Sequence, residues 1–424
     1  MYKEINLDNK LKLILLKNKN IHTVNIGIFI GAGAKDEDTF HNYGCAHFLE
    51  HMMFKGTENI SATEIAEALD DLGGYGNAYT NNEFTVFYNK VLQEDSFKAV
   101  DILYDMLFNS TMDEDEIEKE KKVIVEEINM YEDEAGSFIL EEFSKNLFSR
   151  QGLGNSILGE KKYVKKINKK ILLNFYQQHY VPEKMVVVVT GNYNEKLIGY
   201  LKRKFSALES AEQQLEVNKK VIINNFSFAL HEKAKISQIY FALGGEGVSK
   251  NDSEYIKTIL FNNILGGNSS SYLFQKLREE LSLCYDISSF TTAFENTGEL
   301  VISGGVNVKQ FPLALREIVK ILEEIKVAGI KKIDFERAKK QLKRQIVMSL
   351  DNMHNMMFSL GIDVLYYSKP KLIDELIAEI DGISYSSFNK FVKRYLKALK
   401  LNLCVLAPKG TDDIEKQWEE IAGG

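Results

Sequence analysis

Cysteine is scarce in this chain and what there is stands apart: Cys45, Cys284 and Cys404 form no CxxC pair, and their number is odd. That excludes a disulfide framework and a thiolate zinc cluster, and makes a reducing compartment, the cytoplasm, the expected location. Nor does any stretch approach the ~20 apolar residues that a membrane-spanning helix requires. The opening MYKEINLDNKLKLILLKNKN holds Glu4 and Asp8 and only a short apolar run, Leu11 to Leu16, so it reads neither as a signal peptide nor as an Arg-rich transit peptide. No Lys/Arg stripe is interleaved with aromatics, and the formal net charge is −7. Nucleic acid and membrane are therefore not expected partners.

What remains is ordinary globular text. Hydrophobic residues make up 45% of 424, with 27% charged, 28 Gly and 4 Pro, which is enough for large cores and too long for a single one. Strands are expected near Leu11 to Leu16, at Thr23 to Gly31 where Val24, Ile26, Ile28 and Ile30 alternate, at Glu83 to Val91, and at Met185 to Thr190, an unbroken apolar run suited to a buried position. Helical segments lie between them. The text turns polar around 205–224, which suggests a first domain at 1–210, a linker at 211–224 and a second domain at 225–424.

The second half repeats the order of the first. ISQIYFALGGEG (236–247) echoes TVNIGIFIGAGA (23–34), and FERAKKQLKRQI (335–346) echoes IEKEKKVIVEEI (117–128) 218 residues later. Two diverged copies of one α+β unit in tandem are the expected fold. Ala338 stands where the first copy has Glu120, and Gln345 where it has Glu127, so the second copy keeps the shape without metal-binding side chains.

The chemistry gathers in YGCAHFLEHMMFKG, Tyr43 to Gly56. His47 and His51 lie four apart and share one helix face, with Glu50 beside the second, giving HxxEH, the inverse order of HExxH. Two neutral imidazoles one turn apart can hold one Zn²⁺ and leave a carboxylate next to the open fourth position, which makes Glu50 a general base rather than a ligand. The alternative is a core helix whose histidines are incidental. A third ligand has to come from elsewhere. Helix 113–134 offers Glu120 and Glu127, seven apart on one face, with Lys119, Lys121 and Lys122 expected in solvent. Its acidic start, Asp113 to Glu116, is explained by the helix dipole alone.

HFLEHMMFKGT, followed at Glu127 by a carboxylate 76 positions after His51, resembles the pitrilysin (insulinase) family, whose smaller members include the mitochondrial processing peptidase and its bacterial homologues. The likeness spans almost the whole chain, including LGGYGNAYT and FYQQHYVPEKMVVVVTGN. It implies a zinc endopeptidase with His47, His51 and Glu127 as ligands and Glu50 as base, while Glu120 assists catalysis from behind the ligands; Glu126 replaces Glu127 if the alignment slips by one. On spacing alone, Asn77, Ala78 and Tyr79 are as readily an ordinary hairpin as an exposed edge that binds an extended peptide. The resemblance makes them substrate contacts, and it puts Phe54 in the pocket for the side chain after the cut bond, where the plain reading is core. Arg278 and Tyr285, seven apart, read as a helix-end pair; in the family such a pair binds substrate, the tyrosine helping to stabilise the oxyanion.

The resemblance also implies a homodimer around an enclosed cavity that admits peptides. A rival reading is a non-catalytic structural or assembly subunit of the same fold, marked by loss of one or more of His47, Glu50, His51 and Glu127; none is lost. A third is a metal-dependent lyase on a related fold. Cys45 reads as a small buried residue, His179 as structural, and His22, His41, His231 and His354 lack partners at ligand spacing.

Overall fold

A computed structural model describes residues 2–37, 42–149, 152–210, 221–411 and 413–423. His41 and residues 211–220 of the expected linker lie outside them.

Two sheets are built on one pattern. The first holds β1 (Lys3–Asn6), β2 (Lys12–Lys17), β3 (Thr23–Ile30), β4 (Tyr75–Thr80), β5 (Thr85–Leu92) and β6 (Met185–Gly191), in the order β1-β2-β6-β3-β5-β4. The second holds β7 (Phe228–Lys233), β8 (Gln238–Gly247), β9 (Cys284–Ala293), β10 (Gly298–Asn307) and β11 (Asn402–Pro408), in the order β7-β11-β8-β10-β9. In each, one parallel pair, β2 with β6 and β7 with β11, is followed by antiparallel neighbours. Strands β6, β3, β5 and β4 thus correspond to β11, β8, β10 and β9, and the tandem α+β repeat is present in the topology.

Alternation in β3 accounts for only one of its faces. Val24, Ile26, Ile28 and Ile30 join the main core of the first sheet, but Asn25 and Phe29 on the opposite face are buried too. Helix Met353–Tyr367, from the second half of the chain, covers that face: its Met357, Leu360 and Val364 pack on Ile14, Phe29, Val86, Val186 and Val188. With both faces covered, β6 is buried at every residue, as its unbroken MVVVV text requires.

Each compact unit therefore takes one helix from the other half of the chain, where the sequence suggested unbroken halves at 1–210 and 225–424. The first comprises Met1–Asn129, Gln151–Lys220 and Met348–Lys371; the second, Met130–Arg150, Val221–Val347 and Leu372–Gly424. Helix Ala135–Leu147, from the first half, lies on β8, β10 and β11 of the second unit. The exchange is reciprocal, because Ala135 and Met353 open their helices 218 residues apart, the spacing of the repeat. A sheet with one apolar face left over must bury it, and here the covering helix comes from the other copy.

Candidate metal centre

Helix Cys45–Met52 carries the HxxEH motif, and a carboxylate seven residues upstream of Gly44 sets its start. Glu37 is buried and accepts from the backbone N–H of Gly44 at 2.7 Å and of Ala46 at 2.8 Å, satisfying donors that a helix start leaves open. Gly44 takes φ 91°, a left-handed conformation that glycine adopts without strain. Cys45, Ala46, Phe48, Leu49 and Met52 fill the core, while His47, Glu50 and His51 turn to the other side.

Helix Glu114–Asp133 supplies the opposite wall. Asp113 caps it, accepting from Asp115 N at 2.9 Å and Glu116 N at 3.1 Å. Ile117, Ile124 and Ile128 bury one face, and that packing sets the rotation that aims Glu120 and Glu127, two turns apart, at the motif helix. Glu126 is exposed and takes a bond from Asn129 Nδ2 at 3.2 Å, so the register selects Glu127. Lys121 corrects an expectation: its side chain is only 13% exposed and pairs with Glu118 instead of standing in solvent. The helix flank is more covered than its charge suggested.

The donor atoms converge. His47 Nε2 lies 3.8 Å from Glu127 Oε1, and His51 Nε2 lies 3.6 Å from Glu127 Oε2. The three residues offer ligand atoms all within 4.8 Å of one another, a metal-ligand grouping unmatched among the described residues. These separations are too long for hydrogen bonds, yet they suit atoms sharing one ion: tetrahedral bonds of about 2.1 Å put neighbouring ligands about 3.4 Å apart. A zinc ion fits this donor set.

Protonation suits it as well. Burial, with the charge of His51 adding to it, pushes His47 down to about 3 against the opposing pull of Glu120, so its imidazole is neutral near pH 7. His51 Nδ1 is bonded to Glu120 Oε1 at 2.7 Å, and a proton on that nitrogen leaves Nε2 with its lone pair toward the cluster. Lys55 reaches Glu120 Oε2 at 2.7 Å. Burial would raise the Glu120 carboxyl, but bonds from His51 and Lys55 and the charge of Lys55 hold it below its ordinary value. Glu50 moves the other way. Burial lifts it, the Thr80 hydrogen bond and His51 oppose, and the nearby Glu127 carboxylate adds to the rise.

The remaining expected residues divide. Strand β4 is a sheet edge, with Asn77 and Tyr79 exposed and Ala78 turned into the core, so Ala78 offers its backbone only. Phe54 is half-buried, 6.3 Å from Phe87 between ring centres, and packs on the same core. Arg278 and Tyr285 belong to the second unit and meet each other there: the guanidinium lies 5.0 Å from the ring centre of Tyr285, which is 83% exposed at the start of the edge strand β9. Arg278 sits on a π-helical segment, Phe274–Glu280, rather than at an α-helix end. Cys45 is buried, and His179 is bonded to Lys184 at 2.9 Å. Sequence reasoning passed over Glu37, Lys55 and Thr80. Lys55, one turn past His51, was the most legible of the three.

Known proteins share the sequence family and the fold of this chain. The family model described as insulinase, peptidase family M16, matches residues 12–161, and that of the peptidase M16 inactive domain matches 166–342. An uncharacterized zinc protease of Bacillus subtilis, YmxG, is 34% identical over 97% of this chain and 99% of its own length. An uncharacterized zinc protease of Rickettsia bellii is 32% identical over 88% of this chain and 90% of its own. Among solved structures, a peptidase M16 inactive domain from Pseudomonas fluorescens aligns with a TM-score of 0.88 at 16% identity, covering 96% of this chain and 98% of that one. A protease from Helicobacter pylori aligns with a TM-score of 0.87 at 19% identity, covering 96% and 99%. At such identities the two structures speak for the fold alone.

Proposed function

The chain belongs to the insulinase family, peptidase family M16, and from that premise we propose that it is a zinc-dependent endopeptidase of the cytoplasm that cuts peptides held in an extended conformation. The observation that carries this reading is the convergence of His47 Nε2, His51 Nε2 and the Glu127 carboxylate, with Glu50 on the same helix face. His47, His51 and Glu127 would hold the ion, whose Lewis acidity assists attack of water on a peptide carbonyl. Glu50 takes the proton of that water and passes it to the leaving amine, work suited to a carboxyl raised above its ordinary value. Glu120 keeps the His51 ring in one tautomer and orientation. The free edge of β4 at Asn77, Ala78 and Tyr79 binds the substrate backbone by strand addition, and Phe54 lines the pocket for the side chain after the cut. Arg278 and Tyr285 bind the substrate and stabilise the developing oxyanion. Two chains pair as a homodimer enclosing the site, which admits flexible peptides and excludes folded proteins.

Metal content and cleavage, measured together, test the assignment. Wild type should hold about one zinc per chain and cut members of a mixed peptide library, read by mass spectrometry. His51→Ala should lose metal and activity together, whereas Glu50→Gln should keep the metal and lose activity. A Glu50→Gln protein with normal turnover refutes the mechanism.

A further inference from the structure

Thr80 ends the edge strand β4 and is 5% exposed. Its hydroxyl donates to Glu50 Oε2. The hydroxyl has one proton and little choice of acceptor. Its other acceptor, Thr85 Oγ1 across the β4–β5 ladder, stands off at 3.5 Å, the limit of a hydrogen bond, while Thr85 gives its own proton to Ala32 O at 3.0 Å. The turn that follows is pinned as well: Asn81 Oδ1 accepts from Glu83 N and Phe84 N, both at 2.8 Å, and Asn81 O accepts from Ala34 N at 3.0 Å. Thr80 is therefore a fixed point.

We propose that Thr80 is the positioning residue of the base, its hydroxyl holding Glu50 Oε2 so that Oε1 is left to receive the proton of the attacking water. The inference rests on the reading of Glu50 as that base. A glutamate has three rotatable bonds between backbone and carboxylate, and a bond from a buried, immobile hydroxyl selects one arrangement of them. The geometry also joins two tasks in one strand. The edge that receives the peptide ends in the residue that aims the base, so the distance from substrate to base is set by a single rigid element.

The test compares zinc-loaded Thr80→Val, nearly the same shape without the hydroxyl, with Thr80→Ser, which keeps it. Val should lower kcat about ten-fold or more, since small misplacements of a reacting group are costly, and leave KM and zinc affinity, measured by chelator competition, within about two-fold of wild type. Ser should recover at least about five-fold of that loss. If the Val protein does not fold, Thr80→Ala makes the same comparison with the same expectation. Wild-type kcat in the Val or Ala variant, or a Ser variant no better than either, overturns the proposal. A zinc-loaded wild type that cuts no peptide, or a fully active Glu50→Gln, overturns instead the reading beneath it.

Discussion

Glu120 and Glu127 carry one side chain on one helix, and their surroundings assign them different work. Glu120 is 2% exposed and spends both oxygens on His51 and Lys55, whereas Glu127 is half-exposed and points its oxygens at two imidazole nitrogens. Spacing alone made them equivalent; partners separate them. A third glutamate shows what burial does without a cation. Glu299 on β10 accepts from Ser144 Oγ at 2.8 Å and from Thr292, but burial outweighs both bonds and pushes its carboxyl up to about 7. Because this lies above the ordinary value of 4.5, the folded chain holds the proton more tightly than the unfolded one. Its contribution to stability is fully present below about 4.5 and is lost as pH rises through about 7, a swing on the order of 3 kcal/mol at about 1.4 kcal/mol per unit. Glu299→Gln removes the titration. The urea midpoint of wild type should therefore fall more between about pH 5 and about pH 8 than that of the variant, and equal falls would dismiss the assignment.

At the scale of elements, the two covering helices matter most. Helix Met353–Tyr367 lies close on β3 because Gly361 presents no side chain: a Cβ there would stand 2.5 Å from a ring carbon of Phe29. Met357 fills the neighbouring space, and Phe358 packs edge-on against Phe29 at 5.7 Å between ring centres. Gly361→Val should force the helix off the sheet and destabilise the first unit by about 1–3 kcal/mol, the usual penalty of overpacking. A lowered thermal midpoint in circular dichroism is the expected result; an unchanged one would mean the helix shifts at no cost. The strands at the core of both sheets were legible from apolar runs and alternation, because period-two burial is a local property. The second covered face of β3 was not legible, since the helix that covers it lies more than three hundred residues away in the chain.

For the molecule as a whole, His47, His51 and Glu127 belong to one compact unit and Arg278 and Tyr285 to the other, which bears on the proposed composite site. In single-chain relatives twice this length, the family resemblance puts the zinc motif in the first half and the Arg/Tyr pair in the second, so in a homodimer we expect them to act in trans. Mixing Glu50→Gln chains with Arg278→Ala/Tyr285→Phe chains, each inactive alone, tests this under conditions of protomer exchange. Random pairing makes about half the dimers mixed, each with one intact composite site, so about a quarter of wild-type activity should return. No recovery despite proven exchange would assign the pair to its own chain. Local text by itself determined the motif helix with His47, Glu50 and His51 on one face, the tandem repeat and the buried strands, because helix and strand periodicity place side chains on faces without help from distant residues. Tertiary structure alone decided that Glu127 and not Glu126 faces the histidines, that Lys55 and Thr80 back Glu120 and Glu50, and that each sheet takes its second cover from the other copy. Those choices depend on how helices rotate and which surfaces remain apolar after local folding, and such quantities exist only once the elements pack.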